Sequence, residues 1–258
     1  MKTHVVQSIS GGMDSTCLLL RHLAQNRSIH LLSFDYGQKH KLELERLDKN
    51  LEYLKAQDLG HTRISVPFGG IASSALTTAE QDVPEGFYAQ DNMKQTVVPN
   101  RNAIFSAIAY ASALSLANEL HQEVLLSLGV HSGDHAIYPD CRREFFEALH
   151  AAFVLGNWNG QAVILDLPYL DWDKVDILRQ AVKDCETLGI EFDTVLRNTN
   201  TSYAPDVSGK ASGRTGSDVE RILAFHVIGR RDPVEYIDGW EKALEYALQS
   251  QKDFNMKG

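Results

Sequence analysis

Six residues near the amino end, Ser10-Gly11-Gly12-Met13-Asp14-Ser15, have the composition of an anion cradle. Two adjacent glycines let the backbone turn sharply and aim successive N–H groups at one point. A helix opening near Ser15 would add the positive end of its dipole, which makes the bend a phosphate site. A Walker A loop needs a lysine and longer spacing, and this string has neither, which disfavours a P-loop machine that transfers a γ-phosphoryl group. Asp14 beside a phosphate would repel it across a low-dielectric cleft unless a divalent cation lay between them, so Asp14 is assigned to Mg2+. A plainer reading stays open on these residues alone: a glycine turn in which Asp14 or Ser15 only caps the helix.

Such a loop has to be positioned by a strand before it and a helix after it. Residues 4–10 read as a short buried strand and 15–23 as a helix with an apolar stripe. A second strand is expected over 29–34, a helix over 42–59 from its leucine spacing with Gly60 as its stop, and a third strand over 62–66 ended by Pro67. Residues 69–97 mix glycine, proline and polar residues without a period and predict a long loop or lid beside the site. An apolar helix over 103–119, a strand over 123–130, and helices over 143–155 and 173–188 around a strand at 162–167 follow. Alternating strands and helices predict an α/β fold, a doubly wound, mostly parallel sheet whose ligands sit at the carboxyl ends of the strands. The chain is divided at residue 197: a main domain over 1–197 and a segment over 198–258, rich in Asn, Thr, Ser and Gly as far as Ser217, that ends in a small helical appendage over 218–225 and 233–249.

A chain of 258 residues with 43% hydrophobic content can bury one sizeable core. Its formal charge of −9 argues against affinity for nucleic acid gained by neutralising phosphates, and favours a small-molecule or protein partner. Cys17, Cys141 and Cys185 are far apart and form no C-x-x-C pair, which fits the reducing cytoplasm. His4 and Gln7 interrupt the first apolar run, so it does not read as a secretory signal. Ser106, Ser112 and Ser115 interrupt the most apolar stretch, 103–117, which reads as a buried helix and not as a membrane span.

At the end of the first strand, Ser-Gly-Gly-x-Asp-Ser resembles the signature of the PP-loop, or N-type ATP pyrophosphatase, superfamily, whose adenine nucleotide alpha hydrolase-like (HUP) fold cleaves ATP between the α- and β-phosphates to form an adenylate. Asp35-Tyr36-Gly37-Gln38, Val98-Pro99-Asn100-Arg101-Asn102 and the string from Gly129 through Asp134 to Tyr138-Pro139-Asp140-Cys141-Arg142 make the chain similar to the QueC family over about residues 4–230. These are the 7-cyano-7-deazaguanine (preQ0) synthases of queuosine biosynthesis, and the resemblance implies ATP and Mg2+ as cofactors and a homodimer. It further implies activation of 7-carboxy-7-deazaguanine with ATP, attack by ammonia to give the amide, and a second activation that dehydrates the amide to a nitrile. Ser10, Gly11, Gly12, Asp14 and Ser15 would then bind phosphates and Mg2+, and Phe34, Asp35, Tyr36, Gln38 and Gly129 would line the nucleotide pocket. Arg101 would grip oxygens of the nucleotide or of the substrate carboxylate in bidentate fashion, or else form a surface ion pair. Asn102, Asp134, Tyr138, Asp140 and Arg142 would recognise the purine-like base, or else serve as a cap and structural salt bridges. The catalytic set on this reading is Asp14, Ser15, Arg101 and Asp134. Adenylate chemistry needs no nucleophilic thiol, so Cys141 is assigned to packing, and His131 with His135 lacks a third ligand for zinc.

One part of the family pattern is missing. Family members carry four zinc-binding cysteines, one in Thr-Cys-Tyr and three in Cys-Gly-x-Cys-x-x-Cys before an Arg. The matching residues here are Ser202, Ser212, Thr215 and Asp218, before Arg221. Hydroxyls stay protonated near neutral pH and are weak zinc ligands, so zinc is expected to be absent. Two enzyme readings follow from the resemblance: a preQ0 synthase that dispenses with zinc, or a paralogue, of the kind found in anti-phage defence, that passes the activated deazaguanine to a protein amine. A non-catalytic ATP-binding subunit is a third reading, against which Asp14, Arg101 and Asp134 speak. Sulfur transfer to tRNA is disfavoured by the lack of paired cysteines and of basic charge.

Overall fold

The computed structural model describes residues 2–37, 42–54, 59–66, 74, 84–86 and 91–256. Strand β1 (His4–Ser8) carries Val5 and Val6 at 0% and 1% exposure, because side chains on both of its faces are covered. That is the signature of a central parallel strand with helices on either side. Its loop enters α1 (Met13–Ala24), then β2 (Ser28–Asp35), α2 (Leu42–Tyr53), β3 (Gly60–Ser65), α3 (Arg101–Leu120), β4 (Val124–Ser127), α4 (Arg143–Gly156) and β5 (Val163–Asp166). Helices α5 (Lys174–Leu188), α6 (Phe192–Arg197), α7 (Gly216–Val227) and α8 (Trp240–Asn255) complete the chain. The five strands are all parallel, in the order β3-β2-β1-β4-β5. The direction of winding reverses between β1 and β4, and the crevice at that switch point is where an open α/β sheet takes its ligand.

One face of the sheet carries a core built from Leu18 to Leu20 of α1, Leu47 of α2, Ile177 and Ala181 of α5, Val195 of α6 and Phe225 of α7. The other face packs Ala109, Tyr110 and Ala113 of α3 and Phe146 of α4 against Val6, Leu126 and Val163. Residues on both sides of position 197 thus share the first core. By length and composition α3 could cross a membrane. It lies along β1, β4 and β5 with Ala113 and Ala117 buried, but only a third of its apolar stretch is covered, less than the buried helix expected.

Several boundaries differ from expectation. Gly60 opens β3 rather than stopping a helix, and α2 ends at Tyr53. Residues 233–239 are not helical: the last helix starts at Trp240, after Gly239 at φ 81°. The six-residue α6 carries too few turns to show a period. Most of the segment 69–97 lies outside the described residues; its described end, Asp91–Thr96, is a 3-10 helix.

A polar chain runs through the base of the sheet. Arg27 approaches His22 Nδ1 at 3.0 Å, His22 Nε2 meets Ser127 Oγ at 3.0 Å, and that hydroxyl donates to Asp166 Oδ2 at 2.8 Å. A guanidinium only donates, so Nδ1 accepts and Nε2 carries the hydrogen: the ring is neutral and fully paired. Burial, with help from Arg27 and Arg21, pulls the His22 pKa from 6.5 down to about 3. Between those two pH values the unfolded chain binds a proton that the folded chain refuses, so stability falls as pH drops through that window, by about 1.4 kcal/mol per unit. Urea unfolding at pH 7 and pH 5 is expected to show the wild type losing about 2 kcal/mol more than His22→Gln, which keeps both hydrogen bonds without the titration; equal losses would remove His22 from the acid sensitivity.

Candidate active site

At the carboxyl end of β1 the chain turns through Gly11, whose φ of +89° only glycine adopts without strain; a Cβ there would also run into the Glu43 carbonyl of α2. Ser10 Oγ accepts from the Gly12 amide at 3.1 Å and meets Ser15 Oγ at 3.2 Å, so the loop's own hydroxyls hold its curve. Helix α1 starts at Met13 with Gly12 as its N-cap and no side-chain cap. This removes the reading in which Asp14 or Ser15 caps the helix, and it leaves the first-turn amides without an intrahelical acceptor at the glycine loop. Gly129 lets the exit of β4 approach α1: a Cβ there would lie 3.3 Å from Ser15 Cα.

The loop forms one wall of a cavity of about 250 Å3 at the switch point. Of the residues singled out from the sequence, Ser10, Gly12, Asp14, Ser15, Phe34, Tyr36, Arg101, Asn102, Gly129, Asp134 and Tyr138 line it. Asp35, Asp140 and Arg142 do not: Asp35 Oδ1 accepts from the Gly37 amide at 3.3 Å, the backbone carbonyl of Asp140 accepts from Asn102 at 3.2 Å, and exposed Arg142 donates to the His135 carbonyl at 2.9 Å. Gly11 shapes the loop from behind the wall. Gln38 lies outside the described residues. Cys141 also lines the cavity; it is 4% exposed, accepts from Asn102 Nδ2 at 3.2 Å, and burial pushes its thiol up in pKa, which disfavours a thiolate.

The structure adds residues that sequence reasoning passed over. Lys174, 5% exposed, puts Nζ 3.0 Å from Asp14 Oδ2, 3.2 Å from Glu220 Oε2 and 2.9 Å from His131 Nε2. The Gly133 amide donates to His131 Nδ1 at 3.1 Å, so Nε2 carries the ring hydrogen and faces the Asp134 carboxylate at 3.5 Å. The short Lys174–His131 approach therefore sets two donors against each other, and the carboxylates hold the cluster together. Burial alone would depress the Lys174 pKa; Asp14, Glu220 and Asp134 more than reverse this and push it up. For Asp14, burial raises the pKa, and Lys174 and His131 outweigh it and leave it lowered. Asp14 Oδ1 is buried with no hydrogen-bond partner. A sequence signal for Lys174 existed: it is the first residue of α5, after the capping Asp173, where the helix dipole disfavours a cation.

Across the cavity, Phe34 and Phe105 stack with centroids 4.2 Å apart, and Tyr36 tilts against Phe105 at 5.5 Å. Arg101, at the first turn of α3, stands over the Tyr36 ring at 5.9 Å. The groups acting on its charge are Tyr36, Tyr203, Tyr138 and Cys141, and among the described residues no carboxylate is within ion-pair distance. A segment from the carboxyl-terminal region closes this side: Asn200, Thr201 and Tyr203 line the cavity, and Asn200 N donates to the Gly11 carbonyl at 3.0 Å.

Residues 4–229 match the family described as Queuosine biosynthesis protein QueC. This chain belongs to the QueC family. It is 43% identical over 229 residues, 88% of this chain and 93% of the relative, to the 7-cyano-7-deazaguanine synthase of Caldicellulosiruptor saccharolyticus. Proteins of the same name from Methanoregula boonei and Pseudoalteromonas translucida are 39% identical, covering 88% of this chain and 96% of the relative, and 37% identical, covering 92% and 100%. NMN synthetase from Francisella tularensis aligns over 97% of this chain and 86% of its own at 12% identity, with a TM-score of 0.39, a likeness too distant to carry an argument. In this QueC family member, Ser202, Ser212, Thr215 and Asp218, the residues expected from the sequence to stand where thiol ligands are missing, converge behind the cavity.

Removing the ammonium should leave Asp14 and Glu220, each only about 20% exposed, without a counter-charge. Lys174→Met is expected to lose about 3–5 kcal/mol in urea unfolding, and adding Glu220→Gln to recover part of it; an unchanged midpoint would show that the cluster contributes nothing.

Proposed function

We propose that this chain is an ATP-dependent, AMP-forming carbon–nitrogen ligase that adenylates 7-carboxy-7-deazaguanine and converts it to the amide or onward to the nitrile. The observation that carries this reading is the meeting, in one cavity, of an uncapped glycine loop and an arginine with no carboxylate partner among the described residues. The first suits a polyphosphate and the second a substrate carboxylate, and relatives named 7-cyano-7-deazaguanine synthase supply the substrate class.

A carboxylate is a poor electrophile because hydroxide or oxide is a poor leaving group. On this reading the Arg101 guanidinium holds the carboxylate with one oxygen toward the α-phosphorus. That oxygen attacks, the bond from the α-phosphorus to the bridging oxygen breaks, and pyrophosphate leaves; the loop amides and the Lys174 ammonium receive the charge that gathers on it. Ammonia then attacks the acyl carbon, AMP departs and the nitrogen gives up a proton, leaving the amide. A second adenylation on the amide oxygen, with release of pyrophosphate, followed by loss of AMP and both protons of the nitrogen, would give the nitrile. Phe34, Phe105 and Tyr36 provide flat apolar surface for a purine-like ring.

Magnesium fits the residues present: among the described residues Asp14 and Glu220 are two carboxylates on one ammonium, and Asp14 Oδ1 lacks a hydrogen-bond partner. Asp14 would hold the ion, and the ion would supply positive charge that lets a polyphosphate enter beside these acids.

Incubation with ATP, Mg2+, ammonia and 7-carboxy-7-deazaguanine should yield pyrophosphate and a product that mass spectrometry identifies as amide or nitrile; a protein adduct would redirect the reading to conjugation, and unchanged substrate would sink it. Asp14→Asn should slow pyrophosphate release by roughly 100-fold or more. Arg101→Lys should raise KM for the carboxylate substrate by roughly tenfold with less effect on KM for ATP; a change confined to ATP would place Arg101 on the nucleotide instead.

A further inference from the structure

Three hydroxyls meet on a single carboxylate oxygen beneath the cavity. Ser212 Oγ donates to Asp218 Oδ2 at 2.8 Å, Ser202 Oγ at 2.9 Å and Thr215 Oγ1 at 2.9 Å, with the amides of Gly213 and Thr215 at 3.1 and 3.3 Å. Ser202 and Asp218 are 2% and 1% exposed. These are the positions at which the QueC family carries its zinc-binding cysteines. Every partner of this oxygen is a donor, so the hydrogens of the hydroxyls are turned inward, toward the point where a metal would need lone pairs. A cation there would face positive hydrogen ends instead of thiolates. The room beside the cluster, lined by Ser202, Asp218 and the Arg221 guanidinium, is about 10 Å3 and already faces a cation.

The cluster is one of two clamps that α7 places on the segment 199–203. From the next residue pair along the helix, Arg221 donates to Thr199 Oγ1 at 2.7 Å and Thr201 Oγ1 at 2.9 Å while paired with Asp232 at 2.6 Å. Asp218 thus holds Ser202, Arg221 holds Thr199 and Thr201, and Asn200 is tied to the phosphate loop through the Gly11 carbonyl. The residues so fixed, Asn200, Thr201 and Tyr203, are the ones that line the cavity.

We propose that Asp218 replaces the structural metal of its family: a carboxylate gathering three hydroxyls and two amides cross-links residues 202, 212 and 215 without zinc and positions the 199–203 wall of the cavity. This does not depend on which reaction the cavity performs. Metal analysis of the purified full-length chain after dialysis against added zinc should find far less than one zinc per chain, and chelator should leave the melting temperature unchanged. Asp218→Asn puts an amide donor among five donors, and should lower the melting temperature and speed tryptic cleavage after Lys210 and Arg214 by roughly tenfold while sites in α1 to α4 stay protected. The variant S202C/S212C/T215C/D218C should regain one zinc per chain and a chelator-sensitive melting temperature. Stoichiometric zinc in the wild type, or wild-type melting and cleavage in Asp218→Asn, would overturn the proposal.

Discussion

The ammonium of Lys174 is the point on which the site depends. It is buried against Asp14 from the glycine loop and Glu220 from α7, with Asp134 from the loop after β4 close by. These acids come from three stretches of chain far apart in the sequence, and without a cation at the centre they would repel one another in a medium that screens charge poorly. One residue at the start of α5 therefore sets the spacing between the glycine loop, the β4 exit and the carboxyl-terminal helix. The glycine loop can keep an uncapped helix end because that spacing is enforced from outside the loop.

Helix α7 does the same for the opposite wall. Within its first two turns Ser217 lines the cavity, Asp218 gathers hydroxyls, Glu220 meets Lys174 and Arg221 clamps two threonines. Residues 3 and 4 apart on a helix share a face, but these side chains leave in several directions, and that is possible only because the helix is buried nearly all round. A capping box from Thr215 and Asp218 starts it, so one carboxylate both begins the helix and closes the cluster beneath the cavity. The segment after residue 197 is accordingly part of the site and of the core around Phe225.

The alternation of strands and helices was legible because strands such as β1 and β2 are rich in buried apolar residues and helices such as α1 and α5 carry a periodic stripe, and both patterns are local. The glycine loop was legible for the same reason: Gly11 and Gly12 announce a backbone path whatever surrounds them. Boundaries such as Gly60, and the short helix Phe192–Arg197, were not, because strand pairing with β2 and packing against α5 override local preference. Asp140 and Arg142 stood beside true cavity residues in the sequence, yet a 3-10 turn at Pro139–Cys141 directs neither into the cavity wall.

By itself, then, the sequence determined the glycine loop, the α/β alternation and the absence of thiols at Ser202, Ser212, Thr215 and Asp218, since each is a property of residue type or short spacing. Only the tertiary structure decided that Lys174 and Glu220 meet Asp14, which is 160 residues from Lys174 along the chain, and that four substituted positions form one hydrogen-bonded cluster. Charge pairing and hydrogen bonding act over a few ångströms of space, and separation along the chain carries no record of which groups will come within that reach.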